Sequence, residues 1–234
     1  MNSYYVVLNS MYAKLIRFRA LPYKTLSLAF LAGALISLGN AAMLVVRSGG
    51  DTVPELVLSG ICFSFGLFAV VMCGAELFTG DVIMSIGLFD GRWGIAETLE
   101  MLALVWLFNM IGATSVSMML TGAGFHPSAT ADIIAAKSSL DMTSAFMRGI
   151  ACNFIVCFAV WVSHLRNSLT DSFFAVLLPV TAFVMCGFEH SIANMYYLPF
   201  AFDAMLPNVL VVTAGNVFGG LLFCGLMAIG MRDA

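Results

Sequence analysis

Gly187-Phe188-Glu189-His190-Ser191-Ile192-Ala193-Asn194 places a carboxylate, an imidazole, a hydroxyl and an amide inside an apolar run covering residues 173–202. These four residues supply most of the polarity of that run. Ionisable groups at membrane depth are costly, so they mark a pathway or a site by default. The plainer alternative is structural: a buried Glu can pin a neighbouring helix, and a single His can be a satisfied core residue. The rest of the chain decides between the two readings.

The chain has 234 residues, is 61% hydrophobic and only 10% charged, and has a mean hydropathy of +0.99. A soluble domain of this size has no use for so much apolar surface, which makes this an all-α polytopic membrane protein with lipid as its surroundings. The formal charge of −3 comes with no basic stripe, so no nucleic-acid partner is expected. No cleavable signal peptide is evident, because Lys14, Arg17 and Arg19 follow an apolar stretch rather than precede it. Cys62, Cys73, Cys152, Cys157, Cys186 and Cys224 all lie in apolar runs without metal-ligand spacing and read as packing residues. No cofactor or metal site is expected. Enzyme chemistry is disfavoured because His126, His164 and His190 are scattered, the first two in loops on opposite sides, and assemble no catalytic cluster.

Residues 1–24 read as an amphipathic leader lying along the membrane surface, with Tyr5, Leu8, Tyr12, Leu15 and Ile16 at helical spacing. A single transmembrane domain, residues 25–234, follows. Its apolar segments are 26–46, 56–88, 95–120, 142–162, 172–202 and 209–231. A polar loop over 121–141 joins the third to the fourth, and a short connection over 203–208 joins the fifth to the sixth. The second and fifth segments are too long for one straight span: about thirty residues reach ~45–50 Å, against a hydrocarbon core of ~30 Å. Both carry their polar residues at mid-length. Strong tilt would absorb the length but not the central polarity, so both are read as broken helices whose irregular backbone lines a cavity.

Six spans with both termini inside put Lys14, Arg17, Arg19, Lys24, Arg92, Arg166 and Arg232 on the cytoplasmic side. Arg47 and Lys137 fall outside, and Arg148 lies near the outer end of the fourth segment.

The halves, about 25–120 and 142–231, resemble each other. Residues 71–81 (VMCGAELFTGD) align without gaps on residues 184–194 (VMCGFEHSIAN), with five of eleven positions identical at an offset of 113. Asn40 and Asn153 keep that offset, and Asn109 with Gly112 resembles Asn216 with Gly219. Three segments per half force opposite orientations, giving inverted repeats whose breaks meet near the midplane. Glu76 matches Glu189, Asp81 matches Asn194, and Leu77 stands where His190 does. A residue serving only the symmetry should appear twice; His190 appears once.

On Gly74-Ala75-Glu76-Leu77-Phe78-Thr79-Gly80, Gly187 to Asn194, and Gly215-Asn216, the chain resembles the formate/nitrite transporter family over nearly its whole length. The resemblance implies an aquaporin-like fold and a homopentamer with one pore per protomer in a bacterial cytoplasmic membrane. The substrate would be a small anion: formate, nitrite or hydrosulfide. It implies that His190 is the central pore histidine with Asn194 beside it. Thr79 would face it from the second segment, Asn153 and Asn216 would flank the pore, and Lys137 would be an outer lysine. Phe63, Leu67, Leu77, Val156 and Phe183 would form apolar constrictions on either side of the histidine.

Glu76 and Glu189 read as structural, accepting backbone N–H groups that the breaks leave open. The asparagines have a plainer reading as interhelical hydrogen-bonding residues. The anion is expected to become neutral as it passes His190, since a charged species crosses an apolar ring at far greater cost than its neutral acid. The alternative is an aquaporin-like channel for water or small neutral solutes, although the paired Asn-Pro-Ala signature of that class is absent.

Overall fold

The computed structural model describes residues 2–165 and 168–232. Arg166, counted above among the inner cations, lies outside the described residues. Among the described residues every regular element is helical.

The leader forms α1 (Ser3–Ala20), capped by the Asn2 side chain, which accepts the Tyr4 N–H at 3.0 Å. Its inward stripe is Tyr4, Leu8, Met11, Leu15 and Phe18, the i, i+4, i+7 seam of a helix that faces protein. All five are buried, whereas Tyr12 and Ile16 are exposed. The expected stripe is therefore split, with Leu8 and Leu15 turned to the protein and Tyr12 and Ile16 turned away from it. The leader is docked on the helical body, held by Asn2 Nδ2 to the Met231 carbonyl at 2.6 Å and by Ser10 Oγ to His164 Nδ1 at 3.1 Å.

Pro22 opens α2 (Pro22–Arg47), where a missing N–H costs nothing. Next comes α3 (Val53–Cys73), which starts with a capping box between Thr52 and Glu55 and ends at Gly74, whose φ of 59° requires a residue without Cβ. After four irregular residues the chain resumes as α4 (Phe78–Asp81), a 3₁₀ turn and α5 (Ile86–Asp90). The third segment is α6 (Ile95–Gly122). The expected polar loop contains a helix, α7 (Ala129–Ser138), which carries Lys137.

The second half begins with α8 (Met142–His164), capped by Asp141, which accepts the Ser144 N–H at 2.9 Å. The Ser144 side chain first, and its N–H second, hold the exposed Asp141 carboxyl below the usual carboxylate range by hydrogen bonding. His164 is thus the last residue of a helix rather than part of a loop. The fifth segment forms α9 (Leu169–Met185), closed at Gly187 with φ 64°, then α10 (Ser191–Asn194) and a 3₁₀ turn. The last helix is α11 (Phe202–Met231). The expected connection at 203–208 falls within its first turns.

Among the described residues five helices are long and apolar enough to cross a membrane, and α9 is a shorter apolar helix. Their outward surface is apolar too: Phe65, Leu99, Leu178 and Leu226 are exposed, as a lipid-facing wall requires.

One packing scheme occurs twice. α2 lies against α3 and α6, α8 lies against α9 and α11, and α3 packs on α9 to join the two sets. The close helix pairs depend on glycine: a Cβ on Gly112 would strike the Phe30 carbonyl, and one on Gly219 the Ile150 carbonyl. These contacts match the halves at an offset of 120 in α2 and α8, so Asn40 and Asn153 are not counterparts. Gly33 occupies the position equivalent to Asn153. Gly33 packs on the Asn109 carbonyl, and Asn153 Nδ2 donates to the Asn216 carbonyl at 2.7 Å.

Candidate functional site

Both breaks occur where glycine in the left-handed region ends a helix and a new helix starts a few residues later. A fresh helix start leaves N–H groups open, and at this depth they need internal partners. The sequence reading gave that task to Glu76 and Glu189; the structure gives it to Asn109 and Asn216. Asn109 Oδ1 accepts the Phe78 N–H at 2.8 Å, while its Nδ2 donates to the carbonyls of Ala29 (2.7 Å) and Glu76 (2.9 Å). Asn216 repeats the pattern with Ser191 N–H (2.9 Å), Gly149 O (2.9 Å) and Glu189 O (2.9 Å). One amide side chain thus holds each loop to two helices.

The carboxylates instead meet cations. Lys137 Nζ donates to both oxygens of Glu189 at 2.9 Å. Asn194 Nδ2 donates to Glu189 Oε2 at 2.6 Å and to Asn208 Oδ1 at 2.8 Å, and Asn208 Nδ2 returns to the Lys137 carbonyl at 3.1 Å. At the first break, Lys14 Nζ bonds Glu76 Oε2 (2.7 Å) and Asp81 Oδ1 (2.5 Å), and Arg17 pairs with the other Glu76 oxygen. Two carboxylates in one apolar segment are a signal that two cations are needed. Lys14 and Arg17, three residues apart on one face of α1, are the pair that answers it.

Thr79 and His190 stand between the breaks. Thr79 Oγ1 and His190 Nε2 are 2.9 Å apart, both residues are buried, and Cys157 Sγ lies 3.7 Å from the Thr79 carbonyl. His190 Nδ1 accepts the Ala193 N–H at 3.1 Å. That bond fixes the neutral ring with its proton on Nε2, where it donates to Thr79 Oγ1. Phe183 stacks parallel to the imidazole at 6.2 Å, and Phe63 closes edge-on at 5.8 Å from Phe183.

A chamber lies on each side. The first, about 270 Å³, is lined by Phe63, Phe183, His190, Lys137, Asn194 and Arg148. The second, about 240 Å³, is lined by Leu67, Leu77, Lys14, Asp81, Gly80 and His164. The structure thus brings together His190, Thr79, Asn194, Lys137 and Glu189. It puts Phe63 and Phe183 in one chamber wall, and Leu67 and Leu77 in the other. Asn153, Asn216 and Val156 are buried and do not line these two chambers. Asn216 supports the loop from behind. Sequence reasoning missed Arg148 and His164, which line the chambers, and Asn208, which bonds Asn194 and the Lys137 carbonyl, because none of them sits in a local motif.

A family model described as formate/nitrite transporter matches residues 9–230. The chain belongs to the formate/nitrite transporter family. The family is one of channels and transporters, not enzymes. The chain is 32% identical to the "Formate channel FocA" of Escherichia coli (strain K12), over 88% of this chain and 85% of that protein. It is 29% identical to the "Nitrite transporter NirC" of Salmonella typhimurium, over 84% and 78% respectively. Two solved structures are similar. An "FNT family ion channel" superposes with a TM-score of 0.87 at 27% identity, covering 94% of this chain and 96% of that one. A "Pentameric formate channel with formate bound" superposes at 0.76 and 30% identity, covering 87% and 94%. As a member of this family with several apolar helices, the protein is a multi-pass membrane transporter.

Proposed function

We propose that the protein is a pH-dependent channel for small monovalent weak-acid anions, with formate and nitrite favoured by its relatives and hydrosulfide a further candidate. One observation carries the reading: the Thr79–His190 bond spans the two breaks at 2.9 Å, between two chambers that narrow through Phe63 and Phe183 on one side and Leu67 and Leu77 on the other. An anion held in either chamber keeps its water and polar partners. Between the aromatic and aliphatic walls it has neither, and the neutral acid crosses at far lower cost. His190 is the proton-handling group at that point, directly or through water. Forming the imidazolium requires breaking the Ala193 N–H···Nδ1 bond, which limits that state to the moment of transfer.

The architecture in this reading is six spans in two inverted repeats, aquaporin-like, with the second and fifth interrupted and two breaks facing each other. The repeated packing and the matched Asn109 and Asn216 frames support it. The assembly is a homopentamer with a pore in each protomer, as the pentameric relative supports. The membrane is the bacterial inner membrane, with α1 and the end of α11 on the cytoplasmic face and Lys137 on the outer one.

The test is a proteoliposome flux panel of formate, nitrite, acetate, lactate and hydrosulfide across a range spanning about two units around the ordinary imidazole pKa of ~6.5, with glycerol swelling as the neutral control. Flux should rise toward acid for the weak-acid anions. His190→Ala should lose both rate and pH response. The proton role is falsified if that variant keeps both, and the anion reading fails if glycerol alone permeates.

A further inference from the structure

We infer that Arg148 is the anion-capturing residue of the first chamber, and that the ligand it takes is a planar two-oxygen anion such as formate or nitrite. The inference rests on the channel reading above. Four charged side chains line this chamber: Arg47, Lys137, Arg148 and Glu189. The Lys137 ammonium is committed to both oxygens of Glu189 at 2.9 Å. Arg47 Nη2 lies 2.9 Å from Asp51 Oδ1. Among the described residues, the Arg148 guanidinium has no carboxylate within ion-pair distance, and the residue is exposed. The charge free to meet an incoming anion is therefore on Arg148, not on the lysine that the family resemblance singles out.

Its position is fixed by the second break. The Arg148 carbonyl accepts the Glu189 N–H at 3.3 Å, which anchors α8 to the loop. From there the side chain reaches over the turn: Nη1 would lie 3.9 Å from a Cβ built on Gly187. The guanidinium therefore overhangs the turn that leads into Glu189 and His190. A side chain at Gly187 would meet the guanidinium at ordinary contact distance, and the φ of 64° disfavours one there.

Chemistry selects the ligand. The guanidinium is a planar fork with paired donors, and it matches a bent two-oxygen anion through two parallel hydrogen bonds. Formate and nitrite both present that edge. Hydrosulfide presents a single sulfur and gains only the point charge. Among the described residues the second chamber offers no such group: Lys14 is held by Glu76 and Asp81, and Arg17 by Glu76. Capture is thus built into one mouth of the pore, and the other is balanced.

The experiment is concentration-dependent flux of formate, nitrite and hydrosulfide through the full-length protein in proteoliposomes, at low and near-physiological ionic strength. Wild type, Arg148→Gln and Arg148→Lys are compared, with assembly checked by elution volume. Arg148→Gln should raise the half-saturating formate and nitrite concentrations by about three- to tenfold at low salt, as loss of one unit charge near a screened site implies. The gap should shrink toward ~0.15 M salt, where the Debye length is ~8 Å. Arg148→Lys should recover the charge but not the fork, leaving formate and nitrite between the other two proteins. Hydrosulfide should shift least.

A half-saturation and salt dependence in Arg148→Gln equal to wild type overturns the inference and returns capture to Lys137. Absence of flux of all three anions through wild type instead overturns the channel reading itself. Should Arg148→Gln not assemble, phenylglyoxal modification of the wild type, read at Arg148 by peptide mass spectrometry, decides. Formate should protect that residue, and unchanged labelling in its presence rejects the site.

Discussion

The first and second breaks share one backbone frame and differ in what they charge. Each has a left-handed glycine, Gly74 or Gly187, and each has an asparagine, Asn109 or Asn216, bonding one N–H and two carbonyls of the loop and its neighbour. Each loop also leans its N–H on a carbonyl of the preceding set, Glu76 on Leu28 and Glu189 on Arg148, both at 3.3 Å. Around that frame the first break holds Glu76 and Asp81 with Lys14 and Arg17, whereas the second holds Glu189 with Lys137 and two amides, Asn194 and Asn208. The frame is what a break needs at membrane depth, so it is duplicated. The charges face two different chambers and were free to diverge.

If the frames are equivalent, the two asparagines should fail alike and badly. Asn109→Leu and Asn216→Leu each orphan three buried backbone groups, at about 1–3 kcal/mol apiece. Both variants should lose about 3–9 kcal/mol of stability, a large share of the ~5–15 kcal/mol margin of a typical domain. Thermal unfolding of the detergent-solubilised protein and the yield of assembled channel measure it. A large loss in one variant alone would break the equivalence.

The gapless match of residues 71–81 with 184–194 made the frame legible in the sequence, because breaks need glycine and a following helix start in fixed register. The helix assignments followed for the same reason: long apolar runs bounded by Asp-Gly, Ser-Gly-Gly and similar turns leave few alternatives. What could not be read was which polar residue served which break. Carboxylates sit next to the opened backbone in sequence, yet the amides that close it arrive from α6 and α11, more than twenty residues away. The offset misled too. One number, 113, fits the loops, but α2 and α8 are related by 120, which made Asn40 and Asn153 look paired. The leader deceived by giving two overlapping apolar stripes, and only the contact with the body picked the one at Tyr4, Leu8, Met11, Leu15 and Phe18. Arg148 lacked any signal, since a lone Arg near a helix start reads as a solvated end.

The carboxylates should separate the breaks where the asparagines do not. Glu76 is fully buried and holds two cations, whereas Glu189 holds one cation and one amide. Glu76→Gln strands both Lys14 and Arg17 beside Asp81 and detaches α1 from the loop. Breaking a buried ion pair costs ~3–5 kcal/mol, and Lys14 and Arg17 keep partial access to water, which puts the loss at the low end of that range. Glu189→Gln keeps its hydrogen bond with Asn194 and exposes Lys137 to a chamber wide enough to hydrate it, so ~1–2 kcal/mol is expected. Unfolding midpoints in detergent give the order, and protease cleavage within residues 1–20 reports release of α1. Equal losses, or an intact α1 in Glu76→Gln, would show that the ion pairs do not set the difference.

The sharpest form of the comparison converts one end toward the other. Asp81 is the residue that departs from its counterpart Asn194, and Arg17 is the cation that the second break does without. Asp81→Asn should let the new amide donate to Glu76 as Asn194 donates to Glu189, but it leaves Lys14 and Arg17 sharing a single carboxylate. One positive charge is then unbalanced beside the second chamber, at about 1–2 kcal/mol because Lys14 is 19% exposed and turns toward water. Arg17→Gln alone leaves two carboxylates with one cation and should cost a similar amount. Together they reproduce the one-acid, one-lysine, one-amide arrangement around Glu189, and the double variant should be more stable than the sum of the single losses predicts by about 1–2 kcal/mol. The cycle is read from unfolding midpoints at constant detergent and salt. A coupling near zero would mean that charge balance is not what distinguishes the ends, and that Asp81 is kept for contact with the permeating species instead.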